Sequence, residues 1–167
     1  MNLETIKTAA IYIIFVLLLL SCSDKEIIIG LKEKIHHDDF DYSVQYAEKT
    51  EFIGNVRSKG MFYIVTFRVE NNAKRVDHKW DNNTAFIIDT NGNVYKNSYE
   101  MQVNLKVLRD FQLKEKYITP AGKYEETLLV FDIPNEVKEP YLKVNGDFLM
   151  GDLFDGFQFK NTKIKLY

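Results

Sequence analysis

The sequence predicts an all-β fold, a β-sandwich of about seven to eight strands with at most one short helix, and three stretches carry that expectation. Residues 61–71, MFYIVTFRVEN, alternate: Tyr63, Val65, Phe67 and Val69 point one way, and Thr66, Arg68 and Glu70 point the other, a strand with one wet face. Residues 84–95 read as a strand, TAFIID, a turn at Asn91, Gly92 and Asn93, and a return through Val94 and Tyr95. Glycine and asparagine accept the positive φ that such a hairpin needs. Residues 126–134, ETLLVFDIP, place Thr127, Leu129, Phe131 and Ile133 on one face, while Leu128 and Val130 make the other face apolar too, the pattern of a central strand.

Before this domain, residues 9–20 form an unbroken apolar run, shorter than the roughly 20 residues a helix needs to cross a bilayer. The run has the length of a signal-peptide core and ends at Leu19, Leu20, Ser21 and Cys22, which resembles the bacterial lipobox. That resemblance implies cleavage after residue 21, a diacylglyceryl group on the Cys22 thiol and usually a further acyl chain on the new amino terminus. One acyl chain binds a membrane only marginally, at about 0.8 kcal/mol per buried methylene, so two or three chains on one residue make a stable anchor. Residues 1–21 are then the leader and 22–34 the lipidated cysteine and tether. The segment Ser23, Asp24, Lys25, Glu26 resembles the acidic tethers that favour surface export in Bacteroidota lipoproteins. The expected address is the envelope, lipid-anchored, at the outer membrane.

Residues 35–167 remain for one domain, an ordinary size for a single core. With 46% hydrophobic residues the chain is far from a disordered composition, and a formal charge of -2 without a basic stripe excludes nucleic acid as the expected partner. Cys22 is the sole cysteine, so no disulfide can staple the domain. In order, residues 41–46 should open the sheets, and the strands above follow. Residues 99–117 bring Met101, Leu105, Leu108 and Phe111 to helical spacing, and 141–144 and 162–166 close the sandwich.

The stretches FYIVTFRVEN, FIIDTNGNVY and ITPAGKYEETLLVFDIP together resemble the DUF4352 family of secreted and lipid-anchored bacterial proteins. The places that match are Asn71, Phe86, Asp89, Gly92, Tyr95, Pro120, Gly122, Phe131, Asp132 and Pro134. The resemblance implies an immunoglobulin-like, MPT63-like domain over roughly residues 41–167, and it brings no catalytic residues with it.

Two clusters could carry chemistry. His36, His37, Asp38 and Asp39 are ligand types for a metal ion, but on an extended chain His36 and Asp38 face one side and His37 and Asp39 the other, the arrangement of a solvated stretch ahead of the first strand. His78 and Trp80 lie in the connection after the 61–71 strand, where Trp80 fits two readings, an anchor for a protein or sugar ring, or a plug over the end of the core. No GxSxG elbow or glycine-rich phosphate loop is present. The expectation is a binding domain without catalysis or cofactor, held at the membrane through Cys22 and engaging an envelope or extracellular protein. The alternatives are a metal-dependent protein or hydrolase using the His36 to Asp41 cluster, and an enzyme inhibitor acting through the end loop near Trp80.

Overall fold

A computed structural model describes residues 25–145 and 159–167. The leader and Cys22 lie outside these residues. Among the described residues there are eleven strands: β1 (Ile27–Ile29), β2 (Lys34–His37), β3 (Phe40–Ile53), β4 (Val56–Asn71), β5 (His78–Asp81), β6 (Ala85–Ile88), β7 (Val94–Lys96), β8 (Lys116–Thr119), β9 (Tyr124–Ile133), β10 (Tyr141–Val144) and β11 (Thr162–Lys165). A helix, α1 (Tyr99–Leu108), joins β7 to the segment before β8. The sheets run β1-β11-β10-β6-β7 and β2-β3-β4-β9, with β5 and β8 as a separate two-stranded ribbon.

The expected sandwich is there, and its core is made by the faces that alternation assigned. Tyr63, Val65, Phe67 and Val69 of β4 and Leu129, Phe131 and Ile133 of β9 meet Ala85, Ile87, Leu142, Val144 and Ile164 of the opposite sheet in one buried cluster. The predicted turn is also found: Gly92 has φ +83°, and Asp89 accepts from the Asn91 and Asn93 backbone N–H groups, both at 2.9 Å. The strand count exceeds the expected seven or eight by β1, β2, β5 and β8, each three or four residues long.

Three expectations are corrected. The tether reading of 22–34 gives way from Ile27 onward, where β1 pairs in parallel with β11 and β2 pairs with β3. β9 is an edge strand, not a central one. Its second apolar face is buried under α1: Met101 and Leu105, one helical turn apart, pack on Ile53, Phe62, Ile64 and Val130. For the same reason the outer face of β4 is wet only beyond Ile64. The helix starts where Ser98 caps it, its side chain accepting from the Met101 N–H, and it carries Glu100 in its first turn and Lys106 in its last.

An unpaired edge strand invites other chains. The β9 edge is closed from within: Val130 N donates to Asn97 Oδ1 at 2.8 Å, Ser98 N donates to the Val130 carbonyl at 2.7 Å, and Gln102 Nε2 donates to the Leu128 carbonyl at 2.6 Å. At the far end of the strand, Gly60 lets β4 and β9 approach closely. A Cβ there would sit 2.7 Å or less from backbone atoms of Ile133, Pro134 and Asn135, which no side chain tolerates.

Leu105 is 2% exposed, and its removal leaves a cavity between helix and sheet. Leu105→Ala should cost about 2 to 5 kcal/mol in urea unfolding, whereas Val107→Ala, at a position 83% exposed, should cost only a few tenths. Equal losses at the two positions would show that α1 does not depend on this contact.

Candidate functional site

A cleft of about 820 Å³ opens at one end of the sandwich, between the β2–β3 turn, the β5–β8 ribbon and the end of β10. His37, Phe40, Tyr42, His78, Trp80 and Tyr117 form much of its wall, and Lys79, Lys116 and Ile118 contribute from the ribbon. These residues come from three stretches separated by some forty positions each, brought together by the β3–β4 and β5–β8 pairings.

Trp80 is a plug. It belongs to strand β5 and not to a loop, is 6% exposed, and stacks on Tyr117 with ring centres 4.2 Å apart. Its other contact is edge-on to Phe67 at 5.9 Å, and its Nε1–H donates to Thr119 Oγ1 at 2.9 Å. Of the two readings the core one therefore holds, although the same residue forms part of the cleft wall. Tyr117 is anchored in turn by its hydroxyl, 2.7 Å from Thr127 Oγ1 on β9.

His78 reaches the cleft from the same strand. Its ring stacks on Phe40 at 3.8 Å, and its Nε2 is hydrogen-bonded to the Tyr42 hydroxyl at 2.9 Å. Burial, and secondarily the charge of His37, pushes the His78 imidazole below its usual range. The neutral ring is the form this site favours, suited to accepting or donating one hydrogen bond beside apolar walls.

The four clustered residues of 36–39 are not brought to one point. His36 faces out, where its Nδ1 lies 2.7 Å from Asp41 Oδ1. Lys34 and Asn72 also donate to Asp41, each at 3.0 Å, and Lys34 reaches Glu70 at 2.7 Å. Burial alone would raise the Asp41 carboxyl, but the bonds from His36, Lys34 and Asn72 outweigh it and hold the group below the usual carboxylate range. His37 faces in, 8% exposed, stacked on Phe159 at 4.3 Å with its Nε2 3.8 Å from the Asp38 carboxylate. Asp38 turns the chain with φ +51°, and the Asp39 carbonyl accepts from Asn72 N at 2.7 Å. Among the described residues no group of three or more histidine, cysteine, aspartate or glutamate side chains is placed to hold a metal ion. The stretch is also not a mobile lead-in: it is the β2 edge strand and its turn, with the predicted alternation of His36 and His37 preserved.

Asn71, which sequence reasoning placed only as the end of a strand, is the residue that shapes this end. Fully buried, it donates through Nδ2 to the Val76 and Thr119 carbonyls at 2.7 and 2.9 Å, and accepts at Oδ1 from Ala73 N at 2.9 Å. An asparagine closing an apolar strand was the available signal, since a buried amide there needs several partners.

The fold and cleft define a class, the all-β sandwich. Within it the chain is similar to the yjhA protein of Bacillus subtilis, at 14% identity with a TM-score of 0.54, over 83% of this chain and 98% of that one. It is similar also to the secreted protein MPT63 of Mycobacterium tuberculosis, at 14% identity and a TM-score of 0.53, over 75% of this chain and 94% of that one. A β-sandwich protein of Clostridium difficile aligns at 12% identity with a TM-score of 0.50, covering 87% and 97%. At these identities the likeness concerns fold alone, and it agrees with the β-sandwich expected from the strand pattern and with the MPT63-like architecture that the family resemblance implies. No family model matches the sequence, and no curated protein does.

Because His78 is held neutral, the unfolded chain, with an ordinary histidine pKa near 6.5, takes up a proton before the folded site does. Stability is therefore full above about pH 6.5 and falls as the pH drops from there toward the lower folded value. Urea midpoints should be lower at about pH 5.5 than at about pH 7.5, and His78→Gln should shrink that difference. The Asp41 contribution is lost only as pH falls below the carboxylate range near 3.8, under the pH interval of that comparison. An undiminished difference in His78→Gln would assign the effect elsewhere.

Proposed function

We propose that the chain is a bacterial envelope lipoprotein, cut after residue 21 and anchored through Cys22. Its immunoglobulin-like domain binds a protein partner at the cleft end of the sandwich and has no catalytic role. The cleft is the observation that carries the binding half of this reading: an apolar aromatic wall with a few convergent polar groups, His78 and Tyr42 among them, is the usual build of a recognition site. The lipobox-like Leu19 to Cys22 supports the anchoring half, and the acidic tether of residues 23–26 supports the outer membrane as the address. Likeness to a protein described as secreted supports an address outside the cytoplasm.

The partner is an envelope or extracellular protein, engaged by the rim residues Lys79, Lys116 and Ile118 around the buried Trp80. Exposed rim positions tune such contacts, while Trp80 and Tyr117 keep the floor rigid.

Cys22→Ala should move the protein from the membrane to the soluble fraction, and mass analysis of the parent should find a lipidated amino-terminal cysteine. Crosslinking in intact envelopes should then capture a stoichiometric neighbour that is lost from the double variant Lys79→Glu, Ile118→Asp. Unchanged fractionation of Cys22→Ala would refute the anchoring, and a neighbour retained by the double variant would refute the cleft as its site.

A further inference from the structure

We propose that the anchored domain stands with its cleft end against the membrane, so that the loops around the cleft rest on zwitterionic phospholipid headgroups. This rests on lipidation at Cys22, and it follows from where the chain enters the sandwich. In β1, Ile27 pairs with Thr162. Thr162 begins β11, three residues after Phe159, whose ring stacks on His37 in the cleft wall. Across the sheet Leu142 pairs with Ile164, which sets Thr162 abreast of Val144, next to Asn145 at the cleft. The amino terminus of β1 is therefore level with the cleft, and an ion pair between Glu26 and Lys163 pins it there.

The covalent reach then fixes the orientation. From Cys22 to Ile27 there are five residue steps, at most about 18 Å of chain. β3 runs 14 residues from the cleft end to the β3–β4 hairpin, about 45 Å at strand rise. A leash this short keeps the cleft end near the bilayer surface and leaves the hairpin far outside it.

The surface at that end suits such a contact. Val76 and Ile118 are 63% and 51% exposed, and around them stand the exposed cations Lys74, Arg75, Lys79, Lys116 and Lys123. Among the described residues Asp38, Asp39, Asp77, Asp81 and Glu115 share the same end, so both signs of charge stand there. Both signs match the phosphate and ammonium of a zwitterionic headgroup, and lysine stems can lie along the apolar residues. A short tether holds the surface at an effective concentration on the order of millimolar, so a weak contact is sufficient. The cleft's partner is then one presented at the membrane surface, and it takes Lys79, Lys116 and Ile118 from the headgroups when it binds.

The test uses the mature lipidated protein in vesicles of phosphatidylethanolamine and phosphatidylcholine whose headgroups carry an acceptor dye. A donor dye is placed at Lys116→Cys or, on the hairpin, at Arg57→Cys. Energy transfer should be several-fold greater from Lys116→Cys than from Arg57→Cys and should survive high salt. It should fall when Val76→Asp and Ile118→Asp are added, with flotation on the vesicles unchanged. A tether lengthened by about ten glycine and serine residues, which leaves the domain untouched, should narrow the contrast. Equal transfer from both sites, or more from Arg57→Cys, overturns the orientation. Transfer that collapses in salt, or that ignores the two aspartates, overturns the zwitterionic contact. Failure to float at all is a different result, visible before any transfer is measured, and it overturns the anchoring and this orientation together.

Discussion

The cleft end depends on the side-chain amide of Asn71. β4 stops there, and three pieces of chain that share no strand ladder are tied to that residue: the 72–76 loop through Ala73 and Val76, β8 through the Thr119 carbonyl, and the 120–123 turn through backbone bonds from Gly122 N and to the Lys123 carbonyl. Thr119 in turn holds the Trp80 indole. A buried amide left without these partners would cost about 1 to 3 kcal/mol for each unsatisfied group, so the loops are held in place by the penalty of releasing them. A leucine of the same size would fill the space and specify none of the connections.

Gln102 plays the matching part on the other side of β9. It is fully buried, donates to the Leu128 carbonyl and to Asn82 Oδ1, and accepts from Asn97 Nδ2 at 2.6 Å. Asn82 itself donates to the Lys114 carbonyl at 2.9 Å. Helix, edge strand and the turn that follows β5 are thus one hydrogen-bonded unit laid over the apolar patch of Phe62, Ile64 and Val130. Apolar burial decides that α1 covers this face, and the amide network decides where it sits along the strand.

The strand faces were legible in the sequence because alternation is a local property. Tyr63 to Val69, and Leu129 to Ile133, went where their spacing put them. The edge position of β9 was not legible, since an apolar second face reads the same whether a sheet or a helix covers it. For the site, His78 and Trp80 were found by residue type and position, but the burial of Trp80 depends on Tyr117, 37 positions away in sequence and stacked on it only through the β5–β8 ladder. His36 and His37 were correctly set on opposite faces by the same alternation, and what the sequence lacked was the partner of each, Asp41 for one and Phe159 for the other.

A division of labour between the two ends of the sandwich follows from these contacts. The β3–β4 hairpin is held by ladder bonds and by Gly60, whose bare backbone lets β4 lie close against β9. At the opposite end the rim residues Lys79, Lys116 and Ile118 sit on a two-stranded ribbon whose inward side chains, Trp80 and Tyr117, are fixed by the core. Because successive residues of a strand face opposite ways, the outward set can change without disturbing the inward set. A ribbon clamped on one face and free on the other can acquire a new binding specificity at small cost in stability, and β1 delivers the chain from Cys22 to that same end.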